Sequence, residues 1–195
     1  MTTTPRVLAA ATIGLALTGL LTGCSDGAAA DAPRPSTTPS PSPSASLSEA
    51  ERVEQQHTED VRATLDDYYA LSSQVANDGY DGWEELRQYW SSDQWTSMSA
   101  AFRGSEEDGL STEGTTVVDG MTVTSYEAGD GEPGYERMAV DLCVDASGST
   151  SLDAAGSPLP RGGIPERFVA HYTLQHQGPD AAWLIAEFEG TDRSC

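Results

Sequence analysis

Apolar and aromatic residues recur at helical spacing in the part of the chain that follows residue 47. The motif Ser48-Glu49-Ala50-Glu51 is typical of a helix N-terminus, because the side chains of Ser48 and Glu51 each accept a hydrogen bond from the other residue's backbone N–H. Spacings of three and four residues indicate one face of a helix. The pattern predicts a long helix from residue 48 to about residue 75, before Asn77-Asp78-Gly79, with Val53, His57, Val61, Leu65, Tyr68, Tyr69 and Val75 on its apolar side.

Two shorter helices are predicted next, over Trp83–Tyr89 and over residues 93–102. Residues 103–114 are acidic and contain glycine, so we expect a loop there. The period then changes to alternation, which predicts strands over residues 116–127, 135–145, 167–176 and 182–189. Gly120 is the expected site of a bulge or turn, and residues 147–163, rich in Gly, Ser and Pro, are expected to link two strands.

The order of these elements defines the expected fold class. Helices that precede a run of strands favour an α+β fold, here N-terminal helices packed on a curved antiparallel sheet. We expect this domain to span residues 48–195.

The first residues of the chain have the features of an export signal. An apolar stretch, residues 7–21, follows Arg6. It is shorter than the about 20 residues of a membrane span, and it fits the apolar centre of a signal peptide. The motif Leu21-Thr22-Gly23-Cys24 resembles the lipobox of bacterial lipoproteins. This resemblance implies a signal peptide over residues 1–23 and lipid on Cys24; the alternative is a chance Cys after an ordinary signal peptide.

Composition and charge refine this expectation. Residues 24–47 are mostly Ala, Pro, Ser and Thr, which predicts a disordered tether. The chain has 10 Lys+Arg against 31 Asp+Glu, a net charge of −21. Anionic headgroups repel such a body, so lipid on Cys24 must supply membrane attachment, and the charge argues against nucleic acid as a partner. Every basic residue is Arg, a bias that points to a GC-rich actinobacterium and to the outer face of the cytoplasmic membrane.

The domain also resembles a known family. A long first helix carries a Tyr68-Tyr69 pair near its end, two short helices follow, and the late strands read VDLCVD (140–145), FVAHYTL (168–174) and AWLI (182–185). This order is similar to the nuclear-transport-factor-two-like (SnoaL-like) fold of actinobacterial lipoproteins. The resemblance implies a conical sheet closed by helices around a pocket. The family includes isomerases, dehydratases, binding modules and assembly domains, so it does not decide the function.

The cysteines yield one structural prediction. If Cys24 carries lipid, Cys143 and Cys195 remain as a pair in an oxidising compartment, which predicts a disulfide between them. Free thiols or a bond to another chain are the alternatives.

Polar residues on the strands suggest little chemistry. Asp141 and His171 could form an acid–base pair, but both alternate with apolar neighbours, which predicts surface positions. The histidines, His57, His171 and His176, lack the spacing of metal ligands. We therefore expect no catalytic set, no metal site and no cofactor.

Aromatic residues are the remaining candidates. They are expected either in the core or around a pocket for a small apolar ligand or an envelope protein. We accordingly expect a membrane-anchored binding domain; the alternative is an isomerase- or dehydratase-type enzyme with an acid–base pair in the cone. The candidate pocket residues are Tyr68, Tyr69, Trp83, Trp90, Trp95 and Tyr126.

Overall fold

The computed structural model describes residues 47–129, 135–176, 178 and 181–195. The predicted signal peptide, Cys24 and the tether up to residue 46 lie outside those residues. Within the described part of the chain, no helix is both long enough and apolar enough to cross a membrane.

The three predicted helices form at the expected places, and the last of them is longer than predicted. Helix α1 spans Glu49–Asn77, a 3₁₀ helix spans Trp83–Tyr89, and helix α2 spans Ser92–Glu107. The capping box is confirmed, because the Ser48 N–H donates to Glu51 Oε2 at 2.7 Å and the Glu51 N–H donates to Ser48 Oγ at 3.3 Å. These bonds satisfy backbone donors that the first turn of a helix otherwise leaves free.

The strands form an antiparallel sheet against which the helices pack, so the α+β prediction is confirmed. The strands in chain order are β1 (Ser111–Gly114), β2 (Val117–Glu127), β3 (Arg137–Asp145), β4 (Ser149–Leu152), β5 (Arg167–Gln175) and β6 (Leu184–Ser194). The large sheet has the order β2-β3-β5-β6, and β1 pairs with β4 in a separate ladder. The register of β2 shifts between Val118 and Gly120, as the predicted bulge requires.

Two stretches differ from the sequence-based expectation. Residues 103–114 are not a loop, because α2 continues to Glu107 and β1 follows it. Trp83 stabilises the added turn, since its Nε1–H donates to Glu106 Oε2 at 2.9 Å. The stretch 147–163 is also not purely a linker, because it contains β4. Gly114 permits this β1–β4 pairing, since a side chain there would collide with the Gly148 carbonyl.

The core lies between α1 and one face of the sheet. Every second residue of β3 and β5 points into it, so the predicted alternation is confirmed. Val53 departs from the pattern, because it is 40% exposed and lies in the first turns of α1, ahead of the first buried residue, Val61. The buried residues of α1, β3 and β5 are Val61, Leu65, Tyr68, Val75, Met138, Val140, Leu142, Val144, Ala170, Tyr172 and Leu174.

The predicted disulfide between Cys143 and Cys195 is present, with a Cα–Cα distance of 5.8 Å. Cys143 lies on the face of β3 opposite the core, and Cys195 is the residue after β6. The bond therefore links the residue after the edge strand β6 to the central strand β3.

Candidate functional site

A groove runs along one side of α1, and it consists of adjoining clefts. The first cleft has a volume of about 380 Å³ and shares Arg62 and Asp66 with the second, of about 500 Å³. The second shares Tyr69, Ser73 and Thr116 with the third, of about 250 Å³. We call these clefts together the α1 groove.

The α1 groove is long and has different walls along its length. On the helix it extends from Thr58 to Ala76, which corresponds to roughly 27 Å at 1.5 Å per residue. The facing wall is first β2 and then the β1–β4 ladder. The facing residues are Thr112, Gly114, Thr115, Thr116, Val117, Val118, Met121, Ser149 and Ser151.

The third cleft is lined mainly by hydroxyl groups, and its described lining contains no charged side chain. Part of this hydroxyl set holds the wall together. The Thr116 N–H donates to Ser73 Oγ at 3.3 Å, and Thr116 Oγ1 donates to Ser149 Oγ at 3.2 Å. The hydroxyl-bearing lining residues are Tyr68, Tyr69, Ser72, Ser73, Tyr80, Thr112, Thr116, Ser149 and Ser151.

The hydroxyl groups of two tyrosines form a hydrogen bond beneath the α1 groove. The hydroxyl oxygens of Tyr69 and Tyr172 lie 2.8 Å apart in a hydrogen bond that joins α1 to β5. Burial raises the pKa of Tyr69 to about 12 and raises the pKa of Tyr172 well above its ordinary value, because an apolar environment disfavours the phenolate. Both rings therefore stay neutral at physiological pH and act as hydrogen-bonding groups, not as bases.

The middle of the groove carries an ion pair. Arg62 Nε donates to Asp66 Oδ2 at 2.9 Å, and Arg62 Nη2 donates to the Val118 carbonyl oxygen at 3.0 Å. Arg62 thus bridges the helix and the backbone of β2. The Arg62 guanidinium is hydrogen-bonded to Asp66 on α1 and to the backbone of β2, so it stabilises the walls of the groove.

The candidate pocket residues lie in separate places. Tyr68 and Tyr69 line the third cleft. Trp83 and Trp90 are core residues, 6% and 2% exposed, and the Trp90 ring packs against Tyr68. Neighbouring Trp95 packs on the Trp83 ring at 5.7 Å, while Tyr126 stacks on His57. The structure therefore brings two of the six to the α1 groove.

Asp141 and His171 occupy facing positions on β3 and β5, on the side of the sheet away from the core. His171 Nδ1 lies 2.5 Å from Asp141 Oδ1, and Arg193 Nη2 is 3.3 Å from Asp141 Oδ2. The side chains of Asp141 and His171 are 29% and 40% exposed. They form a polar cluster on the surface, in which Arg193 is the ion-pair partner of Asp141, and their alternation with apolar residues predicts this position.

The sequence reasoning missed a second polar cluster, which lies on the core side. His176 Nδ1 is 3.0 Å from Glu136 Oε2, and both side chains are about nine-tenths buried. The ring centroids of His57 and His176 are 5.4 Å apart. The Nδ1 atom of His57 is buried without a hydrogen-bond partner among the described residues. Glu136 therefore orients the His176 imidazole.

A signal for this cluster exists in the sequence. Position 57 is four residues before Val61 on the buried side of α1. Positions 136 and 176 continue the core-facing alternation of β3 and β5 by one step beyond the strands. Within the part of the chain that the structure describes, no three His, Cys, Asp or Glu side chains are arranged to hold a metal ion.

Comparison with known proteins provides no family for this chain. No protein-family model matches it, and no curated protein matches it. Among solved structures, it is similar to the crystal structure of the intermembrane space region of the chloroplast protein ARC6. The sequence identity is 12%, the match covers 67% of this chain and 92% of that chain, and the TM-score is 0.48. A likeness at this level supports no inference about function.

Proposed function

We propose that this chain is a lipid-anchored protein of the cell envelope that binds a partner in the α1 groove and catalyses no reaction. Lipid on Cys24 holds it on the outer face of the cytoplasmic membrane, and residues 24–47 space the domain from the bilayer. The lipobox-like motif supports the anchor. The net negative charge of the chain supports the lipid anchor too, because anionic headgroups repel an acidic protein and cannot hold it at the membrane.

The observation that carries the binding role is the chemistry of the groove lining. The charged side chains among its described residues are Glu59, Arg62 and Asp66, which all lie on α1. Glu59 accepts a hydrogen bond from Gln55, and Asp66 accepts from Arg62. Both carboxylates are exposed and bonded to a neighbouring side chain of α1, whereas acid–base catalysis typically uses a carboxyl group held in an apolar pocket.

The remaining groove groups suit recognition. Neutral phenols and hydroxyls supply donors and acceptors, and Val117, Val118 and Met121 supply apolar contact. An elongated cleft of this composition fits an elongated ligand, because a few placed polar groups orient it and apolar surface supplies affinity.

The test compares what is bound to the protein after it is purified from detergent-solubilised membranes. In the variant Ala70→Trp, an indole fills the second cleft from an exposed helical position. Ala100→Trp places the same indole at an exposed position of α2, outside the groove, and is the matched control. We expect the bound partner to remain with the wild type and Ala100→Trp, and to fall about tenfold or more with Ala70→Trp. Equal amounts in all three, or nothing bound to any, would contradict the binding role.

A further inference from the structure

The two edges of the large sheet are not equivalent. At the β6 edge, Trp90 forms a parallel bridge with Ile185, and the Ser91 N–H donates to the Ile185 carbonyl at 2.9 Å. The segment that leads into α2 therefore covers part of that edge. Covering an edge in this way prevents another strand from pairing with it.

The β2 edge is different, because it borders the α1 groove. Among the described residues β2 pairs only with β3, and Val117, Val118 and Met121 line the first and second clefts. The Val118 carbonyl accepts a hydrogen bond from the side chain of Arg62 on α1. An edge with free backbone groups beside an open cleft is a template for an incoming strand.

The side chains beside this edge favour a segment with alternating residues. Val117 is 52% exposed, so its apolar side chain is available for contact with an added strand. A strand presents alternate side chains to opposite faces. An added strand would therefore place one set of side chains beside Met121 and α1, and the other set beside Val117 on the opposite face of the sheet. The bulge after Val118 limits regular pairing to a short segment.

The charge of the site indicates the charge of its occupant. Glu59 and Asp66 stand along the helix wall, and Arg62 is already paired with Asp66. The whole chain carries a net charge of −21. Such a field attracts basic segments and speeds their association, while it repels acidic ones.

We infer that the α1 groove receives an extended, basic segment of another envelope protein, which adds to the free edge of β2 as an extra strand. This inference rests on the proposed binding role of the groove and names its partner class. Main-chain hydrogen bonds to β2 supply affinity, and the alternating basic residues meet the carboxylates of α1.

The test measures the binding of synthetic peptides to the full-length protein in detergent by fluorescence anisotropy. The probe is a short peptide that alternates valine and arginine. One control peptide has glutamate in place of arginine. A second keeps arginine but has proline at its two central valines, which removes the N–H groups that a strand needs.

We expect the valine–arginine peptide to bind about tenfold or more tightly than either control peptide. Ala63→Trp fills the first cleft from an exposed position of α1 and should weaken the binding by a similar factor, whereas Ala100→Trp should not. Glu59→Gln should weaken the binding of the basic peptide only. The amide protons of Val117–Glu127 should also exchange more slowly with solvent in the complex, which a purely electrostatic contact would not cause.

Two results would overturn the inference. One is equal affinity for the proline-containing peptide, and the other is unchanged affinity of Ala63→Trp. If the peptides fail to bind while Ala70→Trp still removes the partner from membrane preparations, the strand inference is wrong and the binding role stands. If neither effect is found, both are wrong.

Discussion

Removal of the disulfide should lower the stability of the whole domain, because the bond acts mainly on the unfolded chain. The perturbation is the double variant Cys143→Ala/Cys195→Ala. The bond closes a loop with a sequence separation of 52 residues. For a loop of that size, the chain-entropy relation gives about 14 cal/mol/K, or roughly 4 kcal/mol at 25 °C. Cys195 is exposed and Cys143 is half-buried, so lost packing adds little.

The same loss can be expressed as a melting temperature. Unfolding entropy is about 2.1 cal/mol/K per residue, which is roughly 0.3 kcal/mol/K for a domain of about 150 residues. A loss of about 4 kcal/mol therefore corresponds to a decrease in Tm of about 13 °C.

The assay is urea unfolding followed by circular dichroism, on the double variant and on the wild type with and without reductant. Reduced wild type should match the double variant, which separates loss of the bond from loss of the sulfur atoms. A decrease below about 1 kcal/mol, no larger than an average point substitution gives, would refute the chain-entropy reasoning.

The remaining predictions concern the buried histidines, the phenol pair and the anchor. His57→Phe removes a buried nitrogen without a described partner and keeps a ring beside Tyr126, so urea unfolding should show unchanged or higher stability. His176→Phe breaks the hydrogen bond to Glu136 and should lower the free energy of unfolding by about 1–3 kcal/mol. Equal losses in the two variants would refute this contrast. Because folding raises the pKa of Tyr69 from 10.0 to about 12, its contribution to stability is complete below about pH 10 and is lost as pH rises towards about 12. Tyr69→Phe should flatten that alkaline decrease in urea midpoint, and an unchanged slope would contradict the assignment. Cys24→Ala should leave the membrane fraction or accumulate as uncleaved precursor; normal processing and membrane retention would show that the lipid is not on Cys24.

The elements with strong local patterns could be predicted from the sequence. Ser48 and Glu51 predict the start of α1. The alternation from Met138 to Val144 predicts the strand β3 and also which of its side chains point into the core. The same alternation correctly predicted that Asp141 and His171 lie on the outer face of the sheet. The Cys143–Cys195 pair followed from counting cysteines once Cys24 was assigned to lipid.

What the sequence could not predict depends on contacts between distant segments. Strands β1 and β4 are built from Ser, Thr, Glu, Gly and a single Leu, so neither has an apolar pattern of its own, and each exists because it pairs with the other. The α1 groove requires Arg62 to meet Val118 and Tyr69 to meet Tyr172, which are 56 and 103 positions apart. The spacing of residues within one segment does not predict contacts between residues so far apart in the chain.

The central claim is that the α1 groove binds a partner in the envelope, and a photo-crosslinking amino acid tests it in intact cells. The crosslinker is placed at Ala70, in the groove, and separately at Ala100, an exposed position of α2 outside it. The account predicts a discrete adduct in the membrane fraction from position 70, none from position 100, and loss of the adduct when Ala63→Trp is added. Equal labelling from both positions, or no adduct from position 70, would contradict it.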